Sequence, residues 1–284
     1  MHTVSLTPSS TPATTVPALG LGTWRTGESA RTRAAEIDAV VHALSLGYRL
    51  IDTAEMYGEG GAEEVVGAAL PRSGLHRDEV FVVSKVYPHN ASRAGVQEAC
   101  RRSLERLRVA RIDLYLLHWR GSHPLAETVA GFEALQRDGL IRHWGVSNFD
   151  VDDMEELWQV PGGDRCAANQ VYYSLSKRGI EFDLLPWQRE RGVPTMAYSP
   201  IDQGPLAQAK ELAPLARELG ITPAQLALAW VMRHGDVIAI PKAVSAQHQR
   251  DNLAAASVAL PADVLAALDA YSPPPRRKRG LAML

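Results

Sequence analysis

Cysteine is scarce: Cys100 and Cys166 are the only two in 284 residues, they lie far apart, and no histidine joins them at metal-ligand spacing. That count argues against a disulfide framework and a zinc site, so no metal is expected and a reducing cytoplasm is the expected compartment. Long apolar runs are missing too. No stretch approaches the roughly 18 residues that span a bilayer, and the Ser-, Thr- and Pro-rich N-terminal segment lacks the apolar core of a signal peptide. No membrane partner is expected. Charge of one sign is also in short supply, with 30 Lys and Arg against 32 Asp and Glu for a net charge of −2. The basic excess of a nucleic-acid binder is absent, which leaves a small neutral or anionic ligand as the expected partner. The last absence is a phosphate-cradling glycine loop. Gly20-Leu21-Gly22 and Gly58-Glu59-Gly60 each begin a G-x-G, but Arg25 and Glu63 fill the third glycine's place and no G-K-[ST] occurs.

What the chain does have is 46% hydrophobic residues, enough for a sizeable core, distributed as short apolar runs alternating with longer amphipathic segments. Strands are expected at Ala18 to Thr23, before Asp52, before Lys85, before His118, and at Leu140 to Val146, Ala167 to Val171, Pro194 to Tyr198 and Val237 to Ile240. Helices are expected near Thr32 to Leu46, Gly61 to Leu70, Ser92 to Leu107, Leu125 to Arg137, Val151 to Trp158, Glu181 to Glu190, Glu211 to Leu219 and Pro223 to His234. This rhythm predicts an α/β fold with a parallel eight-stranded sheet closed into a (β/α)8 TIM barrel, one domain over residues 1–284. An open doubly wound sheet is the rival, and it would normally carry the glycine loop that is missing here.

The polar residues that follow the strands carry the chemistry. Asp52, Lys85 and His118 each stand at the end of an apolar run, with Tyr57 a few residues beyond Asp52, so a barrel would bring all four to its functional face. A tyrosine ionises near about pH 10, and a cation beside it would make it a better proton donor. Lys85 is placed to be that cation, Asp52 to hold the ammonium, and His118 to donate a hydrogen bond to a substrate oxygen. A donor of this kind suits protonation of an alkoxide, hence aldehyde or ketone reduction, with a nicotinamide as hydride source because no side chain supplies one. Singly, each residue has an ordinary structural role available: a helix cap, a solvated strand end, an interfacial aromatic, a core histidine. A Schiff-base aldolase using Lys85 is a sharper rival, opposed by Asp52, which would keep the amine charged. Metal-dependent hydrolysis lacks its H-x-H and H-E-x-x-H signatures.

Across nearly its whole length the chain resembles the aldo-keto reductases. The likeness is carried by Leu19-Gly20-Leu21-Gly22-Thr23-Trp24, by Gly47 through Gly58, by Ser84-Lys85-Val86 and by Asp113 through Trp119. In the second half it runs through Gly145-Val146-Ser147-Asn148-Phe149, Asn169-Gln170, Ala197-Tyr198-Ser199-Pro200 and Ile240-Pro241-Lys242. The resemblance implies a catalytic tetrad of Asp52, Tyr57 as proton donor, Lys85 and His118. It implies carboxamide contacts from Ser147, Asn148 and Gln170, and stacking of Tyr198 on the nicotinamide. Gly22, Thr23, Trp24, Ser199, Pro200, Ile201, Ile240 and Lys242 would hold the rest of the cofactor, with Asp251 and Asn252 at the adenine edge.

The phosphate end departs from the commoner family pattern, because Ala243 and His248 stand where many members have serine and arginine. NADPH is the expected cofactor, with NADH use left open. Trp24, Tyr57, Tyr87, His118 and Trp119 are expected to wall the substrate pocket. Trp187, the Pro161-Gly162-Gly163 turn and the short tail after Tyr271 look most like a bacterial methylglyoxal reductase-like branch, which implies small α-oxoaldehydes and aromatic aldehydes as substrates. The basic run Arg276 to Arg279 is expected as a solvated tail. A monomer is expected, with a homo-oligomer left open. The alternative function is a nicotinamide-binding sensor or regulatory protein on the same barrel.

Overall fold

In the computed structural model, which describes residues 2–6 and 14–284, an antiparallel hairpin of β1 (Thr3–Leu6) and β2 (Thr14–Pro17) precedes an eight-stranded parallel sheet. The sheet runs in chain order through β3 (Leu21–Gly22), β4 (Leu50–Asp52), β5 (Phe81–Val86), β6 (Ile112–Leu117), β7 (Ile141–Ser147), β8 (Asn169–Tyr172), β9 (Thr195–Tyr198) and β10 (Val237–Ala239). Between the strands lie α1 (Arg33–Leu46), α2 (Gly61–Ala69), α3 (Arg93–Leu107), α4 (Leu125–Arg137), α5 (Val151–Gln159), α6 (Leu184–Glu190), and the pair α7 (Ala213–Glu218) and α8 (Pro223–Val231). Two further helices, α9 (Ala246–Ala255) and α10 (Ala262–Tyr271), follow the last strand.

The first and last strands meet, so the sheet closes into the expected barrel. Gly20 N–H donates to the Ala239 carbonyl (2.9 Å), Ala239 N–H to Ala18 (2.8 Å) and Gly22 N–H to Pro241 (3.1 Å). Gly22 is needed at this seam, because a Cβ there would sit 2.7 Å from the Ile240 carbonyl oxygen. Strand pleating then sorts the side chains. Ser84 faces the helices, where its hydroxyl donates to Glu63 of α2 (2.5 Å), and its neighbour Lys85 therefore faces the lumen. Tyr115 and Trp144 likewise point outward and pack against Phe132 of α4, with Trp144 stacked on it at 5.4 Å. Helix starts follow sequence signals: Ser92 caps α3, Asp150 and Asp153 form a capping box on α5, and Thr222 with Gln225 does the same on α8.

Several expected boundaries shift. The first strand shrinks to Leu21–Gly22, because the Ala18 to Gly20 segment bonds to His2 and through the seam to Ala239 without forming a regular ladder, and the expected helix at Glu181 begins as a short turn before α6. The hairpin, α9 and α10 were not foreseen. The hairpin buries Val4, Leu6 and Val16. It also places the Thr14 hydroxyl 2.9 Å from Nε2 of His143, which sits near the start of β7 and so at the end of the barrel opposite the C-terminal ends of the strands. Both cysteines are buried, and burial pushes each thiol up to about 12.

His143 supplies a pH test of this floor. Burial, then Arg142, lower its pKa to about 4, against an unfolded value near about 6.5. The folded state thus binds its proton less tightly than the unfolded chain. Its contribution to stability is full above the unfolded value and is lost as pH falls toward the folded one. Urea midpoints should drop between these two values, and a His143→Gln variant should show a shallower drop over the same range.

Candidate active site

Asp52 ends β4, Lys85 is the penultimate residue of β5, His118 directly follows β6, and Tyr57 opens a short turn after β4. Parallel strands in register present these groups at one end of the barrel, and all four come together. The Lys85 ammonium donates to Asp52 Oδ1 (2.7 Å), to the Thr53 carbonyl (2.8 Å) and to the Tyr57 hydroxyl (3.2 Å). The ring of Tyr57 lies 5.7 Å from that of His118 in an edge arrangement. Lys85 is fully buried and Asp52 is 2% exposed, so each depends on the other for its charge.

Burial and charge compete at every member. Burial disfavours the Lys85 ammonium, but Asp52 and Tyr57 outweigh it and the pKa rises; the amine stays charged, which removes the Schiff-base alternative. Burial raises the Asp52 carboxyl, and Lys85 and Gln170 oppose that rise. At Tyr57 burial raises the pKa while Lys85 pulls it down, and burial wins. The expectation that the cation would make the phenol more acidic is thus met in geometry but outweighed by desolvation, and the phenol is held protonated. His118 is pushed well below its usual value by burial and by Lys85, so the ring is neutral. Its Nδ1 is buried without a hydrogen-bond partner among the described residues.

The residues expected at a nicotinamide also form one connected set. Gln170 Nε2 donates to Asp52 Oδ2 (2.8 Å), Ser147 Oγ to the Gln170 carbonyl (2.8 Å), Asn148 Nδ2 to the His118 carbonyl (3.1 Å), and the Tyr198 hydroxyl to Asn148 Oδ1 (2.9 Å). Tyr198 is half-buried and stacks on Tyr172 at 5.4 Å. Asn148 and Ser199 both adopt left-handed backbone (φ 58° and 47°), a strain that collects at ligand sites. Thr23 Oγ1 donates to the Asp52 carbonyl (2.9 Å), and Trp24 lies under Arg25 at 4.4 Å. This mix of amide, hydroxyl and aromatic groups suits a planar carboxamide ring.

Toward the expected phosphate end, Ile240 is buried and Lys242 is exposed, donating to the Arg25 carbonyl (3.2 Å). Pro200 is buried and Ile201 packs against the core. His248 is exposed in the first turn of α9, which Ser245 caps, and the helix N-terminus adds donors and positive potential for a phosphate. Asp251 is half-buried and accepts from Gln247 (2.8 Å), while Asn252 is buried. Cations, a helix N-terminus and the polar network together fit a dinucleotide. Tyr87 and Trp119 meet edge to face at 5.9 Å, and Trp119 lies 5.0 Å from the His118 ring.

Three features here were not read from the sequence. Glu55 binds the Tyr87 backbone, Asp202 binds the Tyr172 and Ser174 hydroxyls (3.0 and 2.6 Å), and Lys278 lies 3.4 to 3.6 Å from Asp150, Asp152 and Asp183. Arg276 to Arg279 are all exposed, so the basic run is a solvated tail as expected, and Lys278 lies beside these three carboxylates while its side chain stays 43% exposed. Glu55 lies inside the motif Asp52 to Gly58, which was the available signal.

The Aldo/keto reductase family model matches residues 18–273. Methylglyoxal reductase YeaE of Escherichia coli K12 is 50% identical over 274 residues, covering 95% of each chain. Methylglyoxal reductase DkgB of Escherichia coli O157:H7 is 32% identical, covering 89% of this chain and 93% of that one. The crystal structure of an aldo-keto reductase from Klebsiella pneumoniae in complex with NADPH superposes with a TM-score of 0.94 at 49% identity, covering 100% of this chain and 99% of that one.

Replacing Lys85 by Met tests the buried pair. An unpaired Asp52 should cost about 3–5 kcal/mol of stability. Adding Asp52→Asn should recover a large part of the loss, as read from urea unfolding of the single and double variants.

Proposed function

The chain belongs to the aldo/keto reductase family, and from that premise we propose which of its residues carry out NADPH-dependent carbonyl reduction and on what substrates. The observation that carries the assignment is the single Lys85 ammonium shared between Asp52 and the Tyr57 hydroxyl. Bound NADPH supplies the hydride. Tyr57, held protonated by burial and facing a cation, gives its proton to the substrate oxygen as negative charge develops there. Lys85 then stabilises the phenolate left behind, and Asp52 keeps the ammonium charged and in place. The neutral His118, with Nδ1 unpaired, presents the opposite nitrogen as a hydrogen-bond donor that orients the carbonyl. Ser147, Asn148 and Gln170 orient the carboxamide and Tyr198 supports the ring face, while Lys242 and the start of α9 take the phosphates.

The substrates we propose are small α-oxoaldehydes such as methylglyoxal, and aromatic aldehydes. Support comes from the two methylglyoxal reductases above and from the aromatic pair of Tyr87 and Trp119 beside His118. The complete tetrad favours turnover over a purely regulatory role. We read the protein as a monomer working on free small molecules.

Two measurements check this reading. Tyr57→Phe should lower kcat with methylglyoxal about 10²- to 10⁴-fold. Its NADPH affinity, read by fluorescence quenching, should stay unchanged, and retained turnover would remove Tyr57 from the acid role. At the phosphate end, His248→Arg should tighten NADPH binding about tenfold by adding a guanidinium fork, with NADH binding unaltered. A parallel gain for NADH would place His248 away from the 2′-phosphate.

A further inference from the structure

We propose that Glu55 is a positioning residue for substrate selectivity: its buried carboxylate clips the loop after β4 to the loop after β5 and so sets the Tyr87 and Trp119 wall above the Tyr57 and His118 pair. The proposal rests on the reductase reading above. A carboxylate only 7% exposed must be satisfied by its neighbours. Oε1 of Glu55 accepts from the Tyr87 backbone N–H (2.7 Å) and from Asn90 Nδ2 (3.1 Å), and Arg102 lies 3.8 Å from Oε2. On its other side the Glu55 N–H donates to the Lys85 carbonyl (3.3 Å). The residue therefore ties the end of β5 to the turn that follows it.

From there the coupling passes to the loop after β6. Gly121 packs so closely on Pro88 that a Cβ would lie 2.6 Å from the proline Cβ, and His123 Nε2 approaches the His89 carbonyl (3.3 Å). Trp119 is carried on this loop, edge-on to Tyr87 and 5.0 Å from His118. The side-chain hydrogen bonds of Asp52, Lys85 and Tyr57 do not use the Glu55 carboxylate. Losing Glu55 therefore moves the wall more than it moves the proton donor. A small oxoaldehyde needs only Tyr57 and His118, whereas an aromatic aldehyde also leans on Tyr87 and Trp119.

The test compares Glu55→Ala and Glu55→Gln with the unaltered enzyme, using NADPH with methylglyoxal and with benzaldehyde. In Glu55→Ala the benzaldehyde KM should rise roughly tenfold, while kcat for methylglyoxal stays within about twofold, as expected when an oriented contact is displaced and the reacting groups are not. Glu55→Gln keeps a carbonyl oxygen for the Tyr87 N–H and should restore most of the benzaldehyde KM. Equal losses on both aldehydes, or no rescue by glutamine, overturn the proposal. Hydrogen exchange over residues 86–91 supplies a readout that needs no turnover: it should quicken in Glu55→Ala and return toward normal in Glu55→Gln. If the unaltered enzyme reduces neither aldehyde, the reductase reading fails by itself, and unchanged exchange sinks the loop clip independently.

Discussion

The buried pair of Lys85 and Asp52 is the constraint around which the rest of this barrel is arranged. An ammonium and a carboxylate removed from water each lose several kcal/mol of hydration. They are tolerable only because the ammonium has three acceptors within reach and the carboxylate has a second donor in Gln170. Closing the sheet is what brings such donors together: Gln170 comes from β8, on the far side of the sheet order from β4. A flat sheet with the same strands would leave Asp52 and Gln170 apart and the pair half satisfied.

The same desolvation that strains the pair sets the protonation states of the groups around it. Tyr57 stays protonated and His118 stays neutral because burial penalises the charged form of each, and Lys85 is kept charged by its partners. The groups are thus tuned together by one dry environment. The pull of Lys85 on Tyr57 is outweighed by burial.

Strand order and the meeting of Asp52, Tyr57, Lys85 and His118 could be read from the chain because short apolar runs, buried on both faces, end in polar residues, and closure sends those ends to one rim. Elements that failed to announce themselves have identifiable reasons. The buried residues of α9 include Gln249 and Asn252, so its inner face carries no apolar stripe. The hairpin does alternate, with Val4 and Leu6 buried and Thr3 and Ser5 exposed, but four residues of Ser- and Thr-rich sequence resemble a linker. The pairings of Glu55 and Lys278 escaped notice because their partners lie far off in sequence, and pairing of that kind belongs to the fold. The upward shift of Tyr57 was also out of reach, since residue identities reveal a neighbouring cation but not the dryness around it.

The two cysteines acquire a different meaning in a carbonyl reductase, because carbonyl carbons are electrophilic. Aldehydes and dicarbonyls add to thiolates, and the thiolate is the attacking form of cysteine. With Cys100 and Cys166 buried and their thiols pushed up to about 12, neither presents a thiolate to the solution. The buried Lys85 amine is kept protonated and so is not a nucleophile. The protein thereby presents no free nucleophile of this kind to carbonyl electrophiles.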